Sequence, residues 1–122
     1  MRLATWNIGS ALGQDIYKNV EYIVQNIEKN LVDVLCLQEV VTSGDATNFI
    51  DELQRRLSFK YSRFYELSSA HLEDSTMMGI AVLSRYSIEE SFEIKLTNPN
   101  IVFNKNGKEI RSDDKGFLVT EI

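Results

Sequence analysis

Cysteine, histidine, proline and tryptophan each occur once in the 122 residues. One cysteine excludes an intrachain disulfide and a cysteine-built zinc site. One histidine excludes a histidine dyad, or a triad with a second histidine, built from this chain alone. No apolar run approaches membrane-spanning length; Ile80-Ala81-Val82-Leu83 is typical. Met1 to Asn7 turns polar too early for a signal peptide. The chain is therefore expected to be cytoplasmic. Basic residues are also in deficit, 13 against 18 acidic, a net charge of -5. That balance suits tight, sequence-independent nucleic-acid binding through a basic surface poorly. It leaves room for an enzyme that meets phosphates through a bound cation. Apolar residues make up 43% and charged residues 25%, which excludes disorder and collagen-like structure and fits one folded domain.

The apolar pattern predicts α/β structure at the front and antiparallel strands at the back. Leu3 to Ile8 reads as a strand ended by Gly9-Ser10. Asp15 is the expected N-cap of a helix whose apolar stripe is Ile16, Val20, Ile23, Ile27 and Leu31. Asp33 to Val40 reads as a buried strand, completing a βαβ unit with parallel strands. A second helix follows Thr42-Ser43-Gly44-Asp45, with Phe49, Ile50, Leu53 and Leu57 inward and Asp51–Arg55 and Glu52–Arg56 as exposed pairs. Strands are then expected over 61–67, 79–85, 91–96, 101–103, 108–110 and 115–122. Asn106-Gly107 signals a type I′ hairpin. Strict alternation places Leu3, Thr5, Leu35 and Leu37 opposite Ala4, Trp6, Val34 and Cys36. The two helices can cover one of those faces, and no other segment obviously supplies a cover for the second.

Asn7 and Glu39 are expected at the C-terminal ends of neighbouring parallel strands, the edge where open α/β sheets bind ligands. An amide and a carboxylate there can share a hard cation. Mg²⁺ accepts oxygen ligands, often only one or two from protein, with water and substrate phosphate completing the shell. Read alone, the simpler assignments are a solvated strand-end carboxylate for Glu39 and a turn residue for Asn7.

Four segments change that weighting. Thr5-Trp6-Asn7-Ile8, Leu37-Gln38-Glu39-Val40, Gly79-Ile80-Ala81-Val82-Leu83-Ser84-Arg85 and Lys115-Gly116-Phe117-Leu118-Val119-Thr120-Glu121-Ile122 occur in this order. Together they resemble the endonuclease/exonuclease/phosphatase superfamily, which includes deoxyribonuclease I-like nucleases, abasic-site endonucleases, neutral sphingomyelinases and inositol polyphosphate phosphatases. The resemblance implies a deoxyribonuclease I-like four-layer α/β sandwich, of which residues 1–122 would supply about one half: one mixed sheet with helices on one face. It implies Mg²⁺-assisted hydrolysis of a phosphate ester, with Mn²⁺ as a substitute. By motif position Glu39 would be the metal-binding carboxylate, and Asn7 would help place the metal or the phosphate. The family's later motifs, an Asn-Asp-rich segment and an Asp-His pair, have no counterpart here. The expectation is an N-terminal half-domain that is inactive by itself.

The preferred substrate class is a nuclease-type phosphodiester, with nucleic acid as the candidate partner. Lipid or inositol phosphates, and a non-catalytic interaction module, are the rivals. Other residues have simpler readings: His71 and Asp113-Asp114 in turns, Cys36 as a buried inert thiol, Met77-Met78 as packing, Arg85 solvated or paired, and Trp6 in the helix-covered core. An uncovered aliphatic sheet face predicts a symmetric homodimer through that face.

Overall fold

The computed structural model describes residues 1–9, 16–42, 47–69 and 77–122. Asp15, Ser43 to Asp45 and His71, which carried the expected N-cap, most of the second helix's lead-in and a loop histidine, lie outside them. Strand β1 (Leu3–Asn7), helix α1 (Ile16–Asn30) and strand β2 (Val34–Thr42) form the expected βαβ unit. Helix α2 (Thr47–Leu57) follows, then β3 (Tyr61–Ser69) and β4 (Met77–Ser84). These make a four-stranded mixed sheet of order β1-β2-β4-β3, parallel at β1–β2 and antiparallel elsewhere.

Both helices pack on one face of this sheet. Val20, Ile23, Val24 and Ile27 of α1 and Phe49, Ile50, Leu53 and Leu57 of α2 meet Leu35, Leu37, Val40, Ala81 and Leu83 in one buried cluster. Leu31 does not continue the α1 stripe. It is 69% exposed and left-handed, with φ 51°. Its N–H donates to the Glu28 carbonyl, and the Val32 N–H donates to that of Ile27. This is a Schellman cap, closed by Val32 and Ile27 packing in the same cluster. The helix therefore ends one residue before its apolar periodicity does. The expected exposed pairs on α2 also rearrange: Arg55 meets Glu52 at 2.6 Å, and Arg56 reaches across to Glu21 of α1 at 2.8 Å.

The expected sorting of faces is wrong in two respects. The parallel register sets Ala4 beside Leu35 and Trp6 beside Leu37, so these four share the helix-covered face. Leu3 and Thr5 align with Val34 and Cys36 on the other. Trp6 does enter the helix-covered core, edge-on to Tyr22 at 5.7 Å. Val40 then breaks the alternation. The β2–β4 register slips between Gln38 and Val40, which makes Glu39 the extra residue of a β-bulge and returns Val40 to the helix side.

The second face has a partial cover, which corrects the expectation that the chain supplies none. Strands β5 (Glu90–Lys95) and β8 (Gly116–Glu121) pair antiparallel into a second sheet. Leu118 and Ile88 pack with Val34, Cys36 and Val82, sandwiching part of the main sheet. Leu3 stays exposed at the β1 edge. Phe92, Ile94, Phe117 and Val119 are exposed too, and the pairs Phe92–Val119 and Ile94–Phe117 put them on one face of the second sheet, away from Leu118.

Strands β6 (Val102–Lys105) and β7 (Lys108–Arg111) form a hairpin between β5 and β8. Asn106 and Gly107 both have positive φ, 55° and 78°, as a type I′ turn requires. No helix in the described residues is long and apolar enough to cross a membrane.

Candidate functional site

Asn7 ends β1 with Gln38 as its register partner, and Glu39, the next residue, sits at the bulge inside β2, which continues to Thr42 rather than ending at Val40 as expected. In an unbroken strand Glu39 would follow Leu37 onto the helix face. The bulge prevents this. Glu39 adopts φ 55°, a conformation that costs a residue with a Cβ about 1–2 kcal/mol. Its carboxylate instead meets Asn7, whose Nδ2 donates to Glu39 Oε1 at 2.9 Å. The Asn7 Oδ1 accepts the Gly9 N–H at 2.8 Å, closing an Asx turn, and Gly9 follows with φ 61°. The amide of Asn7 is thus oriented from both ends, with its NH₂ on the carboxylate and its oxygen on the turn.

Beside Asn7 in the sheet, Gln38 Nε2 donates to Thr5 Oγ1 at 3.0 Å and to the Cys36 carbonyl at 3.3 Å. Thr5 and Gln38 extend the polar surface beside Asn7. Neither residue was expected at the site from the sequence. The available signal was their polarity within otherwise apolar strands, Gln38 as the register partner of Asn7 and Thr5 two residues before it.

Gly79 explains how the bulge fits. It pairs with Val40 on one side and Glu66 on the other, at a level where β3 also slips register. A Cβ on Gly79 would lie 2.1 Å from the Tyr65 carbonyl oxygen. Only glycine allows β3 and β4 to approach this closely.

The other candidates fall elsewhere. Arg85 follows the far end of β4. Its Nε donates to the Val32 carbonyl at 3.1 Å, and its guanidinium lies 5.4 Å from the centre of the Phe59 ring. Asp114 pairs with Lys95 at 2.6 Å and accepts from Asn98 at 2.8 Å. Hydrogen bonding first to Lys95 and then to Asn98 holds its carboxyl below the usual range. Asp113 lies 3.9 Å from Lys115. These two aspartates therefore lock a strand junction, apart from Asn7 and Glu39. The Cys36 thiol is half-buried, and burial pushes its pKa up, as befits an inert core group.

The donor set at Asn7 and Glu39 suits a hard cation. Both side chains carry oxygen, and they meet where β1 ends and β2 bulges. No group of three or more His, Cys, Asp or Glu gathers around a metal-sized space among the described residues. A cation here would take one carboxylate, one amide oxygen at most, and water or substrate. That pattern is usual for Mg²⁺ and unsuited to zinc.

A sequence model of the endonuclease/exonuclease/phosphatase family matches residues 4–119. The chain belongs to that family. Family members among solved structures share its fold. One from Leptotrichia buccalis superposes with a TM-score of 0.63 at 18% identity, covering 91% of this chain and 52% of that one. One from Beutenbergia cavernae gives 0.71 at 22%, covering 98% and 33%. A humanized D. rerio TDP2 gives 0.52 at 15%, covering 89% and 44%. No curated protein matches the sequence. The chain thus spans about half or less of the length of these neighbours. The deoxyribonuclease I-like α/β fold expected from the sequence is the fold found, and the family includes hydrolases acting on phosphate esters.

Proposed function

We propose that residues 1–122 carry the metal-binding part of a divalent-metal-dependent phosphodiesterase centre, with Glu39 as the protein carboxylate ligand of Mg²⁺ or Mn²⁺. The observation that supports this most is the left-handed bulge. In this chain a strained glutamate stands at a bulge inside β2, where the strain turns its carboxylate from the helix core toward Asn7.

Glu39 supplies the negative charge that holds the ion. Asn7 orients that carboxylate through Nδ2, while its Oδ1 is held by the Gly9 N–H. Thr5 and Gln38 line the approach. Once bound, the cation neutralises charge on a phosphate oxygen and so stabilises an in-line displacement. Among the described residues, Gly9, Thr5, Gln38 and Cys36, which bond with or beside Asn7, supply no acid/base group that could activate water or protonate the leaving oxygen. Hydrolysis by these residues alone is therefore expected to be feeble, because catalytic groups act as a unit.

The test is Mn²⁺ binding followed by the loss of the free-ion electron paramagnetic resonance signal. The native chain should bind one ion. Glu39→Gln, which keeps the shape and the Asn7 contact, should weaken binding by about 10- to 100-fold, and Asn7→Ala by less. Unchanged binding by the Gln variant would remove Glu39 from the metal site.

A further inference from the structure

The β6–β7 hairpin stands apart from both sheets, and its residues pack mainly on each other. Directly opposed residues share a face, so Phe103 and Ile110 lie together with Lys105 and Lys108. The two lysines face each other across the last pair before the turn. Like charges directly opposite destabilise a ladder. Among the described residues neither lysine has an ion-pair partner. Arg111, on the other face, is exposed and only 3.4 Å from the equally exposed Glu109. The segment from Ile101 to Ser112 thus carries three basic residues and one acidic one, in a chain whose net charge is -5.

The base of the hairpin is fixed. Asn98 Nδ2 donates to the Ser112 carbonyl and to Asp114, and its Oδ1 accepts from Ser112 Oγ and the Asn100 N–H. Asp114 in turn holds Lys95. The hairpin branches where Lys95 pairs with Gly116, and Gly116 lies against Tyr65 and Leu67 of β3. Those residues belong to the same end of the main sheet as Gly79, Val40 and Glu39. A cationic arm with a fixed base therefore branches from the end of the sandwich that also holds Asn7 and Glu39.

We propose that this hairpin is a binding arm for single-stranded nucleic acid. Lys105 and Lys108 would take backbone phosphates, and Phe103, 48% exposed on the same face, would offer a surface for a base to stack on. The order of residues distinguishes this from a membrane anchor. A hairpin that enters a lipid surface carries apolar side chains at its tip and basic ones behind. Here Asn104 to Lys108 make a polar, cationic tip, and Ile101, Val102 and Phe103 lie at the base. The assignment deepens the phosphodiesterase reading and rests on it for what becomes of the bound strand.

Fluorescence anisotropy with a dye-labelled oligothymidylate, in EDTA at low salt, tests it without hydrolysis. The native chain should bind. Lys105→Gln with Lys108→Gln should weaken binding roughly tenfold and reduce the slope of log affinity against log salt by about 1.4, the value for two phosphate contacts on a single strand. Phe103→Ala should weaken binding with the salt slope unchanged. Circular dichroism and melting temperature check that the variants fold, and these exposed positions should leave both unaltered.

Native-like affinity and salt slope in the double lysine variant would overturn the proposal. So would sedimentation with phosphatidylserine vesicles in the absence of oligonucleotide binding. The metal-centre reading fails separately: it falls if Mn²⁺ binding ignores Glu39→Gln, whatever the oligonucleotide result.

Discussion

Alanine and glycine at position 39 together report on the bulge that aims the candidate site. Both substitutions delete the carboxylate, and with it the exposed hydrogen bond from Asn7 Nδ2. That loss, about 0.5–1.5 kcal/mol, is common to the two and cancels in their difference. What remains is backbone. At φ 55° an alanine Cβ costs about 1–2 kcal/mol, which glycine escapes. Glycine's greater freedom in the unfolded chain takes back about 0.5–1 kcal/mol. The glycine variant should therefore be the more stable by about 1 kcal/mol. In a regular strand only the entropy difference acts, and alanine would lead by about 0.5–1 kcal/mol. The sign alone decides between the two backbones. Urea unfolding followed through Trp6 fluorescence is the assay. At a slope of about 1.5 kcal/mol/M, the glycine midpoint should lie about 0.7 M above the alanine midpoint. An alanine variant as stable as the glycine one would refute the left-handed bulge, and with it the reason Glu39 faces Asn7.

Gly79→Ala should destabilise the fold by about 3 kcal/mol, because its Cβ would overlap a backbone oxygen that cannot swing aside; a melting temperature within a degree or two of native would contradict the close β3–β4 approach. Asp114 has its carboxyl pKa depressed in the folded chain by Lys95 and Asn98. Its pairing therefore contributes fully above the unfolded value of about 4 and is lost as pH falls through the lower folded value. Asp114→Asn should accordingly flatten the acid limb of a melting-temperature profile below about pH 4, and an unchanged limb would remove this pair from the acid response. The dimer expected from the sequence used the main-sheet face, which Leu118 and Ile88 partly cover; the uncovered apolar surface is Leu3 and the outer face of the second sheet bearing Phe92, Ile94, Phe117 and Val119, so a dimer through that outer face is tested instead, with Phe92→Ser and Phe117→Ser. Sedimentation equilibrium should show a native dimer driven toward monomer by the pair of substitutions; a compact native monomer at high concentration would refute it.

Much of the fold follows from local chemistry. The stripe from Val20 to Ile27 and that from Phe49 to Leu57 specify helices with one buried side, and both are buried as their spacing requires. Asn106-Gly107 specifies its hairpin because few residues tolerate two successive positive φ angles. Asn7 and Glu39 were recognisable as polar groups at parallel strand ends, and four motifs in order pointed to the family. The remaining features depend on contacts between elements. Alternation tells which residues of one strand share a face; it does not tell which face of β1 continues which face of β2. The register of the parallel pair decides that, and it set Trp6 beside Leu37 rather than beside Cys36. The bulge was equally hidden. Nothing about a glutamate between Gln38 and Val40 signals a left-handed backbone, yet that conformation sends Val40 into the core and Glu39 out to Asn7. The pairing of β5 with β8 skips the intervening hairpin and is chosen by Leu118 and Ile88 finding Val34 and Val82. Strand type, helix face and turn are encoded within a few residues of chain. Register, strain and the meeting of Asn7 with Glu39 arise only when separate elements pack, because each is the compromise that buries the most apolar surface at once.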